Sequence, residues 1–237
     1  MTPLATIDYD KLDDGIATLT LRRPEVRNAF NVQMRDDVHE VLTAVRDDPS
    51  VRGLLLRGAG DAFCSGADLT EFGAAPSQAV ARQVRWERDV WGLWLSVRKP
   101  SIAAVHGYCL GSGLEMAALC DIRIASADAV FGMPEVSLGL IPAAGGTQAL
   151  PRLLGPGRAL QVLLSGERFD ANDAFRYGFV SEVASRDMLE HRALDVLRRI
   201  LEAPDAALAA AKRAVHEGLD LPLAEALALE RRLSADL

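Results

Sequence analysis

The chain has 237 residues, of which 49% are apolar and 25% charged, enough for one generous hydrophobic core beneath an ordinary polar surface. A formal net charge of −7 argues against nucleic acid or an anionic membrane as the main partner, and no apolar run approaches the ~18 residues of a membrane span. The start, MTPLATIDYD, lacks the basic and apolar segments of a signal peptide. The three cysteines, Cys64, Cys109 and Cys120, show no CxxC spacing, so a reduced, cytoplasmic protein is expected.

In chain order, residues 15–23 (GIATLTLRR) alternate and read as a strand, and RPEVRNAF follows as a turn. Residues 31–47 read as an amphipathic helix capped by Asn31, with Met34, Val38, Val41, Leu42 and Val45 on one stripe. Residues 51–58 form a buried strand and 59–69 a glycine-punctuated loop. A helix from Pro76 to Val97 carries Trp86, Val90, Leu93, Trp94 and Val97, which read as ordinary core. A strand over 101–107 leads to GYCLGSGLEMAALCD, a glycine turn feeding a helix that is apolar almost all round except at Glu115. Another strand spans 121–126. The proline- and glycine-rich connection 133–147 is long enough to be functional. Helices at 148–154, 157–164 and 170–176, a strand at 179–183, and three amphipathic helices (187–201, 205–217 and 222–234) complete an α/β pattern. Leu219, Leu221, Leu223, Leu227 and Leu229 of the last segment call for a partner surface.

Common cofactor motifs are absent. RGAGDAF has Phe63 where a third glycine would stand, no GxxxxGK[ST] occurs, and CSGAD and GSGLE lack a GxSxG elbow. His39, His106, His191 and His216 are scattered without metal-ligand spacing, and His106 reads as a packed structural residue. What remains are two glycine-flanked turns, at Ser65 and Ser112, and two glutamates. Outward backbone N–H groups from the two turns could form an oxyanion hole, and paired carboxylates suit proton transfer to and from carbon. Taken singly, Glu115 could be a first-turn acid favoured by the helix dipole, Glu135 an exposed loop acid, and Asp68 a cap.

At these residues the sequence resembles the enoyl-CoA hydratase/isomerase (crotonase) superfamily. The resemblance runs through LRRPEVRNAF, FCSGADL, KPSIAAVHGYCLGSGLEMAALCDIRIAS, FGMPEVSLGLIPAAGGTQALPRLLG and LLSGERFDANDAFRYGFVSEV, in family order and spacing. It implies a crotonase-like spiral of repeated ββα turns with two roughly perpendicular sheets over residues 1–186. A helical trimerisation region would follow over 187–237, shorter than is usual, in a homo-oligomer that is a trimer or a dimer of trimers. The implied substrate is an acyl-CoA thioester, with no metal or redox cofactor because coenzyme A is part of the substrate.

On that resemblance, the N–H groups of Ser65 and Ser112 would hold the thioester oxygen, with Ser112 replacing the commoner glycine. Glu115 and Glu135 fall on the two positions that carry catalytic acids in the hydratases. Val26, Arg27 and Ala29 would line the coenzyme path, Ser65, Gly66, Ala67 and Asp68 would receive the adenine end, and Gly111, Pro134 and Leu138 would complete the substrate site. Ala143 stands where dienoyl-CoA isomerases place an aspartate. The expected activity is water addition to a 2-enoyl-CoA. The alternatives are a Δ3,Δ2-enoyl-CoA isomerase using Glu135 alone and a catalytically silent acyl-CoA- or protein-binding member.

Overall fold

Apolar runs too short for helices, IATLTL, GLLLRG and SIAAV, lie side by side as the centre of one sheet. The computed structural model describes residues 4–73 and 87–237. Strands β1 (Ile7–Lys11) and β2 (Ile16–Leu21) form a hairpin, and helix α1 (Val32–Asp47) precedes β3 (Gly53–Gly58). Helix α2 (Val90–Ser96) leads into β4 (Ser101–Val105), β5 (Tyr108–Leu110) and α3 (Ser112–Leu119). The step repeats in β6 (Ile122–Ser126), β7 (Val130–Gly132) and a 3₁₀ turn, Pro134–Leu138. Then follow α4 (Gly146–Leu154), α5 (Pro156–Ser165), β8 (Phe169–Asp170), α6 (Ala171–Arg176), β9 (Glu182–Ala184), α7 (Leu189–Ile200), α8 (Asp205–Gly218) and α9 (Leu223–Ala235).

The larger sheet has the order β1-β2-β3-β4-β6-β9, antiparallel only between β1 and β2. The smaller is β5-β7-β8, and it is extended by isolated bridges between Cys64 and Cys109 and between Phe30 and Ala67. Each ββα step therefore crosses from the large sheet to the small one and returns through a helix. β2 and β4 are buried along their whole length because both faces are covered. Ala17, Leu19, Leu54, Leu56 and Ala103 join the cluster that holds Val38, Val41 and Val45 of α1. The alternate residues Ile16, Leu55, Ile102 and Ile124 join Leu189, Ala193 and Leu197 of α7.

The alternation seen in β2 therefore marks two cores rather than a wet face. Its threonines are buried too, and the Thr20 hydroxyl accepts a hydrogen bond from Arg57 Nε at 2.9 Å. The last strand begins at Glu182 rather than 179, because Phe179 and Val180 are still hydrogen-bonded to the Ala174 carbonyl at the end of α6. Of the helix expected from Pro76, the part up to Trp86 lies outside the described residues. The rest is helical from Val90, with Trp94 1% exposed in the core. α8 and α9 form a hairpin docked by Lys212, whose Nζ donates to Asp121 Oδ2 and to the Lys99 carbonyl, both at 2.8 Å.

Candidate active site

Gly66 and Gly111 bring the two sheets' connections into contact. Both have positive φ, +106° and +49°, and a Cβ on Gly111 would lie 3.6 Å from Gly66 Cα. Such backbone is open to glycine and strained for other residues. Ala67 and Ser112 follow these two glycines directly. Phe30 donates to the Gly66 carbonyl at 2.8 Å and accepts from Asp68 N–H at 2.9 Å, so the bridge skips the Ala67 N–H, which has no acceptor among the described residues. Ser112 is the first residue of α3, where a backbone N–H has no intrahelical acceptor.

Both residues line a cavity of about 670 Å³ together with Glu115 and Glu135, a volume suited to a small-molecule ligand. Its walls include Phe30, Trp91, Leu95, Leu119, Leu140 and Ile141. Ser112, Glu115 and Leu119 reach it from one face of α3, at the i, i+3, i+7 spacing of a helix stripe.

Glu115 is 2% exposed, and its Oε1 accepts from the N–H groups of Ala144 (2.9 Å) and Gly146 (2.8 Å). These amides belong to the end of the 133–147 connection and the first residue of α4, whose N-terminus carries partial positive charge. Side-chain volume is excluded there, since a Cβ on Gly146 would come within 3.0 Å of Glu115 Oε1 and 2.7 Å of Met133 Cε.

Glu135 follows Pro134 in the 3₁₀ turn, which ends at Gly139 with φ +71°. Its Oε2 is buried without a hydrogen-bond partner among the described residues, and burial pushes the carboxyl above the usual carboxylate range. Its Oε1 would lie 2.6 Å from a Cβ on Gly111, so the carboxyl stands directly over the second glycine turn. The two acids thus have opposite surroundings, one held by two amides and one desolvated.

Ser65 needs correcting. Its N–H donates to the Arg27 carbonyl at 2.9 Å and is spent on that turn, and the amide left available two residues on is that of Ala67. Asp68 is also engaged: Oδ2 pairs with Arg23 at 2.9 Å, and Oδ1 accepts from the N–H and hydroxyl of Thr70. Arg27 has left-handed backbone (φ +53°) and lies over the Tyr108 ring at 5.3 Å beside exposed Val26, while Ala29 is buried. Pro134 starts the turn that carries Glu135, and Leu138 is exposed at its end. Of the residues expected to bind substrate, Ala67 is in the cavity wall, and Val26, Arg27, Ala29, Ser65, Gly66, Asp68, Gly111, Pro134 and Leu138 lie outside it. His106 is also elsewhere: 5% exposed, bonded through Nε2 to the Gly60 carbonyl, and pushed down to about 4 by burial and Arg186.

Sequence reasoning missed the Ala144 and Gly146 donors, although the connection that supplies them stood out by its length. It also missed Asn31 and Arg35 in the wall. Among the described residues no helix is long and apolar enough to cross a membrane, and no three His, Cys, Asp or Glu side chains are grouped to hold a metal ion.

Comparison with known proteins agrees with this architecture. Residues 11–237 match the family model described as enoyl-CoA hydratase/isomerase. The chain is 37% identical over 219 residues to the crotonyl-CoA hydratase of Syntrophomonas wolfei, covering 92% of this chain and 84% of that one. It is 38% identical over 218 residues to the 2,3-dehydroadipyl-CoA hydratase of Escherichia coli, covering 92% and 85%. The crystal structure of enoyl-CoA hydratase from Bacillus anthracis superposes with a TM-score of 0.93 at 32% identity, over 98% of this chain and 90% of that one. The chain belongs to the enoyl-CoA hydratase/isomerase family.

Proposed function

We propose that the protein is a 2-enoyl-CoA hydratase, adding water across the α,β double bond of an enoyl-CoA thioester. The observation that supports this reading most directly is one cavity bordered by two turned amides and two differently tuned glutamates. The N–H groups of Ala67 and Ser112 take the thioester oxygen and stabilise the enolate-like charge that grows there, each donor contributing ~3–4 kcal/mol in comparable sites. Glu115, fixed by two amides, accepts a proton from the water that adds to Cβ. Glu135 in its protonated form delivers a proton to Cα, a task that fits a carboxyl whose pKa burial raises. The coenzyme passes Val26 and Arg27, while the 65–68 segment offers the adenine its backbone, since the Asp68 side chain is spent. The two relatives act on acyl groups as different as crotonyl and dehydroadipyl, so the acyl group of this substrate is an independent question.

The test is loss of the enoyl absorbance of crotonyl-CoA and longer 2-enoyl-CoA esters. Turnover supports hydration. Conversion of 3-enoyl-CoA esters without hydration would make Glu135 the sole proton shuttle of an isomerase, and binding without turnover would mark a silent member.

A further inference from the structure

Among the described residues that line the cavity, Arg35 is the only cation. It lies in the first turn of α1, where the helix dipole opposes positive charge, and it is 8% exposed. Its Nε and Nη2 both donate to Asp36 Oδ1, at 2.9 and 2.6 Å, but Nη1 is buried without an acceptor among the described residues. Asp36 does not neutralise it fully, because Arg88 approaches the same oxygen at 3.7 Å. Two further wall acids are engaged at helix N-termini. Both Glu71 oxygens accept the Val32 N–H at 3.1 Å, and Asp89 Oδ1 accepts the Gly92 N–H at 2.9 Å. A guanidinium N–H kept dry without an acceptor is costly, and one that stays so by design awaits a ligand.

The position indicates which part of a ligand that is. Phe30 is bridged to Ala67, and Arg35 lies five residues further along the chain, in the first turn of α1. Phe30 packs against Trp91 with ring centroids 5.6 Å apart, and both rings line the cavity together with Leu95. We propose, on the acyl-CoA reading above, that Arg35 selects acyl chains that carry an oxygen acceptor at the end remote from the thioester. That acceptor is a carboxylate or a neutral hydroxyl. The carboxylate is the stronger partner for a guanidinium, and the hydroxyl is the easier group to place among wall acids.

The experiment is calorimetric binding of saturated acyl-CoA esters, which have no double bond to hydrate. Succinyl-CoA is compared with butyryl-CoA, adipyl-CoA with hexanoyl-CoA, and 6-hydroxyhexanoyl-CoA serves as the neutral arm. The wild-type protein is expected to bind at least one acceptor-bearing ester about tenfold or more tightly than its plain counterpart, the scale of a charge-assisted hydrogen bond. Arg35→Met should erase that preference, read as the ratio of the two affinities, and Arg35→Lys should restore part of it. Equal binding of both kinds by the wild type overturns the proposal, as does a preference that survives in Arg35→Met. The wild-type comparison stands even where a variant fails to fold. Failure to bind any ester would instead remove the acyl-CoA reading on which it rests.

Discussion

Glu135 sits where a carboxylate is unstable, half-buried with one oxygen unpaired among the described residues, and that is the state a proton donor requires. The folded protein favours the neutral acid, because burial raises the folded carboxyl above its unfolded counterpart. The fold is therefore undisturbed by this group below the unfolded carboxyl's range and loses stability as pH rises through the raised folded value. Glu135→Gln should accordingly raise the melting temperature at pH 7 and give no such gain in acid. Parallel thermal melts at the two pH values check this. Hydration should fall ~10²–10⁴-fold in the same variant. Wild-type hydration should decline on the alkaline side as Glu135 loses its proton, and a pH–rate profile flat through that range would count against the donor role. Gly111→Ala places a methyl group 2.6 Å from Glu135 Oε1 on left-handed backbone, so activity should drop at least tenfold with circular dichroism retained.

At the scale of elements, the two glycine turns place Ala67 and Ser112 in the wall of one cavity. Ser112 is the first residue of α3, a position where proline is compatible with the helix, so Ser112→Pro removes the N–H with little disturbance of α3. That change should abolish turnover, whereas Ser112→Gly should be nearly neutral. Equal damage from both, measured as kcat/KM on crotonyl-CoA, would shift the role to the hydroxyl. The same scale explains what could be read from residues alone. Glu115 was legible because it interrupts a helix apolar on every other face, and Asn31 because a cap precedes a clear stripe. Which amide of the CSGAD turn faces the cavity was not, since it depends on Ser65 pairing with Arg27 and Asp68 with Phe30, partners more than thirty residues distant. Strands β5, β7 and β8 have two or three residues, too few to carry a period. Arg35 reads in sequence as a surface charge on an amphipathic helix, and only the fold buries it.

For the whole molecule, the described surface leaves a leucine-rich edge. Leu219, Leu223 and Leu227 are 65%, 75% and 43% exposed, and Val215 is 60% exposed beside them. Leu229, expected in the same exposed set, is instead buried at 5% exposure. Apolar side chains so grouped call for cover, and a homo-oligomer, trimer or dimer of trimers, is expected from light scattering at micromolar concentration. A monomer there would contradict it, and Leu223→Glu should lower the mass if the edge is the contact. The measurement that bears most directly on the two-glutamate mechanism compares Glu115→Gln with Glu135→Gln on crotonyl-CoA, following hydration together with exchange of the α-proton of a saturated acyl-CoA. Expected is a loss of hydration of ~10²–10⁴-fold in both, with α-proton exchange surviving in Glu115→Gln and vanishing in Glu135→Gln. Hydration at the parental rate by a destabilised Glu115→Gln protein would contradict it, and would make Glu115 a structural anchor for the N-terminus of α4.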